Sequence, residues 1–133
     1  MRFLDHEDKK MIQINIQKPL HTSEGVIDLV VDKTIQKGDF LTLFGKSGSG
    51  KTTLLRIIAG LETPQRGQIV FDDEVWFCSE RKINLPPQKR NVGFVFQDYA
   101  LFPNMTVWQN LEFALKDKKE IKKVDEILEI MEI

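Results

Sequence analysis

Gly45-Lys46-Ser47-Gly48-Ser49-Gly50-Lys51-Thr52 has the spacing G-x-x-x-x-G-K-[ST] of a phosphate-binding loop. Its flanks suit that reading. Asp39-Phe40-Leu41-Thr42-Leu43-Phe44 ahead of it is an apolar run that predicts a buried strand, and Thr53 to Gly60 behind it predicts a helix ended by glycine. Strand, glycine loop and helix in that order form the setting in which the motif works.

The residue types follow from the ligand's chemistry. Several negative charges in a small volume call for many short-range donors. Gly45, Gly48 and Gly50 let the backbone curl with its N–H groups pointing inward, and Ser47 and Ser49 line the same cradle. The helix start adds N–H groups and the positive end of the helix dipole. Lys51 places a point charge at the outer phosphates, the Thr52 hydroxyl is set to ligate Mg²⁺, and Thr53 helps on the inner-phosphate side. A nucleotide's phosphates with Mg²⁺ are therefore the expected ligand.

Outside the loop, composition narrows the function classes. The chain has 133 residues, a net charge of −1 and one cysteine, Cys78. That length is one domain or a piece of a larger one. Balanced charge gives no basic field for nucleic acid, and none is expected as a partner. A single cysteine excludes an internal disulfide, and Cys78 reads as a small apolar strand residue. No apolar run is long enough to span a bilayer.

Residues 1–10 read as a disordered leader and residues 11–133 as the start of one nucleotide-binding domain. Ile12, Ile14 and Ile16 alternate with polar residues, the pattern of a half-buried strand, which Pro19 is expected to end. Thr22 to Gly25 is a turn and Val26 to Val31 a second strand. This opening is antiparallel, unlike a simple strand–helix alternation. Gln68 to Phe71 and Val75 to Phe77 form a further hairpin. Its tip, Asp72-Asp73-Glu74, imitates an acidic strand end but reads as surface turn carboxylates. Asn91 to Phe96 predicts another buried strand, ending at Gln97. Thr106 is an expected N-cap for a helix through Leu115, and Ile121, Val124, Leu128 and Met131 mark one face of an amphipathic helix near the end.

Three stretches carry a resemblance when taken together: Gly45 to Thr53, Ala59-Gly60-Leu61 with Pro64 and Gly67, and Val95-Phe96-Gln97-Asp98-Tyr99-Ala100-Leu101-Phe102-Pro103. They resemble the ATP-binding subunits of ABC transporters. Leu85 to Gln97 looks most like the importer ATPases, especially those for molybdate and related oxyanions. The resemblance implies an α/β fold: a partial P-loop NTPase core with an N-terminal antiparallel β subdomain, truncated at the start of the helical subdomain. It implies that Lys51 and Gln97 carry the catalytic chemistry, with Gln97 also at the metal and linked to the surface that meets a transmembrane permease subunit. Phe102, Met105 and Trp108 are expected near that surface. A second ATPase subunit would complete the site, and the protein would sit peripherally on the cytoplasmic face of the inner membrane.

The family's aromatic adenine platform has no counterpart between Met11 and Asp39, which leaves His21 as the nearest substitute. The Leu-Ser-Gly-Gly-Gln signature, a convincing acidic strand end and the switch histidine are also missing. The resemblance then implies an N-terminal piece of a longer subunit, binding ATP weakly and not hydrolysing it alone. A nucleotide-binding module without turnover and an ABC ATPase outside transport are the alternatives. A GTPase would need Asn-Lys-x-Asp, which the sequence does not contain.

Overall fold

The computed structural model describes residues 11–23, 25–98, 101–115 and 117–132. The leader expected over 1–10 and Tyr99 lie outside them. The chain divides into two compact units, one ending at Phe94 and one beginning at Val95.

The first unit is built on an antiparallel sheet. Strands β1 (Met11–Thr22) and β2 (Gly25–Gln36) form a long hairpin, α1 (Lys51–Ile58) follows, and β3 (Arg66–Phe71), β4 (Glu74–Cys78) and the short β5 (Ile83–Asn84) complete the order β2-β1-β3-β4-β5. Alternation along β1 puts Ile14 and Ile16 in the core. Ile14 faces Ile69 of β3, and Ile69 faces Phe77 of β4. Leu54 and Ile57 of α1 join the same apolar cluster, so the helix lies on this face of the sheet. The register slips between Ile69 and Val70. Such a bulge turns successive side chains to one side, and Trp76 and Phe77 both enter the core, Trp76 stacking on Phe71 at 4.9 Å between ring centroids.

Pro19 does not end β1, which continues to Thr22 with Pro19 opposite Asp28. The backbone explains why. The Gln17 carbonyl accepts from Gln65 N, so residue 17 and, two further on, residue 19 turn their polar groups to the β3 side. Pairing with β3 stops at Gln17, and a missing N–H costs nothing on that open side. The β3–β4 turn is the expected surface hairpin: Asp72 and Asp73 have φ of 45° and 68°, the geometry of a two-residue type I′ turn. Asp72 is more than a solvated carboxylate, because its Oδ1 accepts from Met11 N at 2.8 Å and ties the start of β1 to the turn.

Two expected strands are not in the sheet. Residues 39–44 and 91–96 lie outside the strands of the sheet. Phe40, Phe44 and Val95 are 94%, 93% and 95% exposed. Runs apolar at nearly every position suit strands covered on both faces, and the described residues supply no such cover.

In the second unit, α2 (Val107–Phe113) starts at a capping box: Thr106 Oγ1 accepts from Gln109 N, and Gln109 Oε1 accepts from Thr106 N. The helix stops before the Leu115 expected from sequence. Asn110 organises the preceding loop, accepting from Phe102 N at 2.8 Å and donating to the carbonyls of Phe102, Met105 and Thr106. Asn110→Ala should speed hydrogen exchange at the Phe102 amide by about tenfold, the worth of roughly 1.4 kcal/mol of bonding; amide exchange followed by mass spectrometry checks this. Helix α3 (Lys122–Ile130) buries Val124 and half-buries Ile121 and Leu128, while Met131 stays exposed.

Candidate functional site

The phosphate loop is held between the β1–β2 hairpin and α1. The turn after β2 closes with Asp39 N donating to Gln36 O and Gln36 N donating to Asp39 Oδ2. The chain then runs without regular secondary structure to residue 46 and turns over residues 47–50. Gly50 is the N-cap of α1 in the left-handed region, φ 89° and ψ 8°, and no side chain caps the helix. A β-carbon there would stand 2.7 Å from Leu20 Cδ1 and 3.3 Å from Leu29 Cδ1. Glycine is therefore required both by the turn and by the hairpin side chains seated on it.

The result is a cradle of donors. The first-turn amides of α1 have no intrahelical acceptors, no acidic side chain lies in that turn, and the helix dipole makes the end positive. A β-carbon on Gly45 would come within 2.6 Å of Ser49 Oγ, so the two sides of the loop are closely apposed. Lys51 reaches back across it. Its Nζ donates to Gly45 O and Lys46 O, each at 2.7 Å, and lies 3.4 Å from Ser49 Oγ. Ser47, Gly48 and Thr52 are exposed; Thr53 is half-buried. Cationic ammonium, oriented amides and a threonine hydroxyl together fit a nucleotide's phosphates with Mg²⁺.

One predicted site residue, His21, is not in this group. Residues opposed across β1 and β2 share a face of the sheet. Leu20 opposes Ile27 and Lys18 opposes Leu29, whereas His21 opposes Val26 on the other face. Leu20 and Leu29, and not His21, are set against the loop. Gln97 belongs to the second unit, where it is exposed at a bend.

One residue of this region escaped sequence reading. Arg90 is 4% exposed. Nothing in its sequence neighbours marks it as a residue that turns inward. Its Nε donates to Leu85 O at 2.9 Å, and its Nη1 to Ile57 O at 2.8 Å and Ile58 O at 2.9 Å. Nη2 donates to Asn84 Oδ1 at 3.1 Å and lies 3.4 Å from Trp76 O.

The ABC transporter family matches residues 30–133. This chain belongs to that family. Among curated relatives, the molybdenum import ATP-binding protein ModC of Vibrio parahaemolyticus is 46% identical over 96 residues, 72% of this chain and 26% of its own length. The spermidine/putrescine import ATP-binding protein PotA of Bacillus cereus is 47% identical, over 84% of this chain and 32% of its own length. The Fe(3+) ions import ATP-binding protein FbpC of Fusobacterium nucleatum is 48% identical, over 74% and 26%. The chain thus spans about a quarter to a third of the relatives it matches. Among solved structures, the dimeric ATP-binding cassette MJ0796 bound to ADP and Pi superposes with a TM-score of 0.67 at 28% identity, covering 92% of this chain and 57% of that one. The antiparallel subdomain and loop-capped helix are therefore part of an ABC cassette, as the sequence implied.

Proposed function

We propose that this ABC-family chain supplies the phosphate-binding part of an importer ATPase, which couples ATP binding and hydrolysis to solute uptake. The observation that carries the reading is the loop itself: a left-handed Gly50 feeding an uncapped helix end, with the Lys51 ammonium lying across the turn. In the proposed complex, the ammonium shifts from the loop carbonyls to the outer phosphates. The amides of residues 48–53 would hold the phosphate oxygens and the Thr52 hydroxyl would hold Mg²⁺, with Gln97 the further metal ligand that the family resemblance suggests. The metal ion, when bound, neutralises charge on the phosphates. Lys51 stabilises charge that builds on them, and Gln97 orients the attacking water.

The partners we propose are a transmembrane permease subunit and a second ATPase subunit, with the protein peripheral on the cytoplasmic face of the inner membrane. Among the described residues no helix is long and apolar enough to cross a membrane. Leu101, Phe102, Val107, Trp108 and Phe113 of the second unit are exposed by 38% or more, an apolar surface suited to a permease contact. For the cargo we propose molybdate or a related oxyanion. The stretch Leu85 to Gln97 and the similarity to ModC support this choice, although PotA and FbpC are equally similar and name other solutes.

Titration with Mg-ATP tests the nucleotide reading: saturable binding is expected, and its absence at millimolar nucleotide would refute it. Uptake of labelled molybdate, spermidine and Fe³⁺ by cells with and without the gene tests the cargo. A selective loss of molybdate uptake is expected, and loss of one of the others alone would reassign it.

A further inference from the structure

Arg90 holds the far end of the helix that carries the phosphate loop. Helix α1 ends in a Schellman arrangement, with Gly60 N donating to Ile57 O and Leu61 N donating to Arg56 O. The Arg90 guanidinium adds donors to Ile57 O and Ile58 O, and through its other nitrogens it reaches Leu85 O and Asn84 Oδ1. It also lies over the Trp76 ring, 5.7 Å from the centroid. All its hydrogen-bond partners are neutral, and burial pushes the guanidinium below its usual range. A β-carbon on Gly60 would stand 2.8 Å from Arg90 Nε, so the helix end and the side chain meet with no room to spare.

Packing alone does not call for this. A buried cation without a carboxylate is costly unless its donors are satisfied, and an apolar residue would fill the space beneath Trp76 more cheaply. The arrangement fixes direction. One planar group bonds the end of α1, β5 and the segment after it, and planarity fixes their mutual angles. Helix α1 has eight residues, a lever of about 12 Å. A tilt of about 5° at one end then moves the other by about 1 Å, an error of the size that costs positioning-dependent chemistry about 100-fold.

We infer that Arg90 is a positioning residue for nucleotide binding: by clamping the C-terminal carbonyls of α1 to Asn84 and Leu85, it sets the aim of the phosphate-binding amides at the opposite end of the helix. The inference rests on the nucleotide reading above. It distinguishes Arg90, which touches no ligand, from Lys51, which does.

The test is isothermal titration of the intact chain with Mg-ATP, comparing wild type, Arg90→Ala, Arg90→Lys and Lys51→Ala. Arg90→Ala should raise Kd about tenfold at unchanged stoichiometry, and millimolar guanidinium ion, occupying the vacated cradle, should restore it while leaving wild type unaffected. Arg90→Lys, which keeps the charge but loses the planar fork, should also raise Kd; it decides the matter if Arg90→Ala does not fold. Unchanged Kd in the folded variants would overturn the inference, as would falling stoichiometry at constant Kd, the mark of a role in folding only. Wild type without affinity, or Lys51→Ala binding like wild type, would remove the nucleotide reading and this inference with it. A weakened Lys51→Ala beside unaffected Arg90 variants would remove this inference alone.

Discussion

Lys51→Ala is expected to weaken ATP binding by roughly 100-fold, the largest single effect in the molecule. A charge-assisted hydrogen bond contributes about 1.5–3 kcal/mol, and about 1.4 kcal/mol is tenfold in affinity. The Lys51 ammonium already lies at the mouth of the loop, 2.7 Å from each of two backbone carbonyls, so little rearrangement is needed to meet a phosphate. The side chain packs in no apolar cluster, and the melting temperature should stay within a few degrees of wild type. Lys51→Arg should not restore binding, because the guanidinium is broader than the ammonium and the Gly45–Ser49 apposition leaves the turn closed. Calorimetric titration of the three proteins checks this, and equal affinities would contradict the role given to Lys51.

Trp76→Ala is expected to cost about 3–5 kcal/mol of stability, a large share of the roughly 5–15 kcal/mol typical of a domain. Trp76 is 2% exposed and stacks on Phe71. Its Nε1 donates to Glu74 Oε2, and its ring is the floor under Arg90. Truncation therefore opens a cavity and leaves a buried cation with one face uncovered. Trp76→Phe should lose much less, and Val30→Ala, at a side chain 67% exposed, should change little. Urea unfolding followed by far-ultraviolet circular dichroism measures all three. A loss under 1 kcal/mol for Trp76→Ala would show that the bulge relaxes to close the gap.

Local chemistry was legible in the sequence. The glycine spacing around Lys51, the alternation of Ile12, Ile14 and Ile16, the Asp72-Asp73 turn and the Thr106 cap each depend on residues a few positions apart. Each is found in the structure. What failed to be legible depends on distant neighbours. Pro19 is tolerated because β3 stops short of it. Residues 39–44 and 91–96 have the composition of strands, but a strand is a relation between segments, and the sheet of the described residues is built from other segments. Trp76 and Phe77 share one core because of a bulge, which an alternating pattern cannot announce. His21 was chosen for its position before a turn, but which face of the hairpin meets the loop is set by Leu20 and Leu29. Arg90 looks like any basic surface residue until the end of α1 arrives beside it.

The guanidinium at the end of α1 also has an electrostatic consequence. An isolated helix is a pair of opposite poles, and an anion at one end feels the other pole subtract from the first. Here the carbonyl pole rests against a buried positive charge, so that subtraction is largely cancelled. From the loop, α1 then acts less like a dipole than like a lone positive pole, whose potential fades as the first rather than the second power of distance. A phosphate would be drawn to it from further away than so short a helix could otherwise reach.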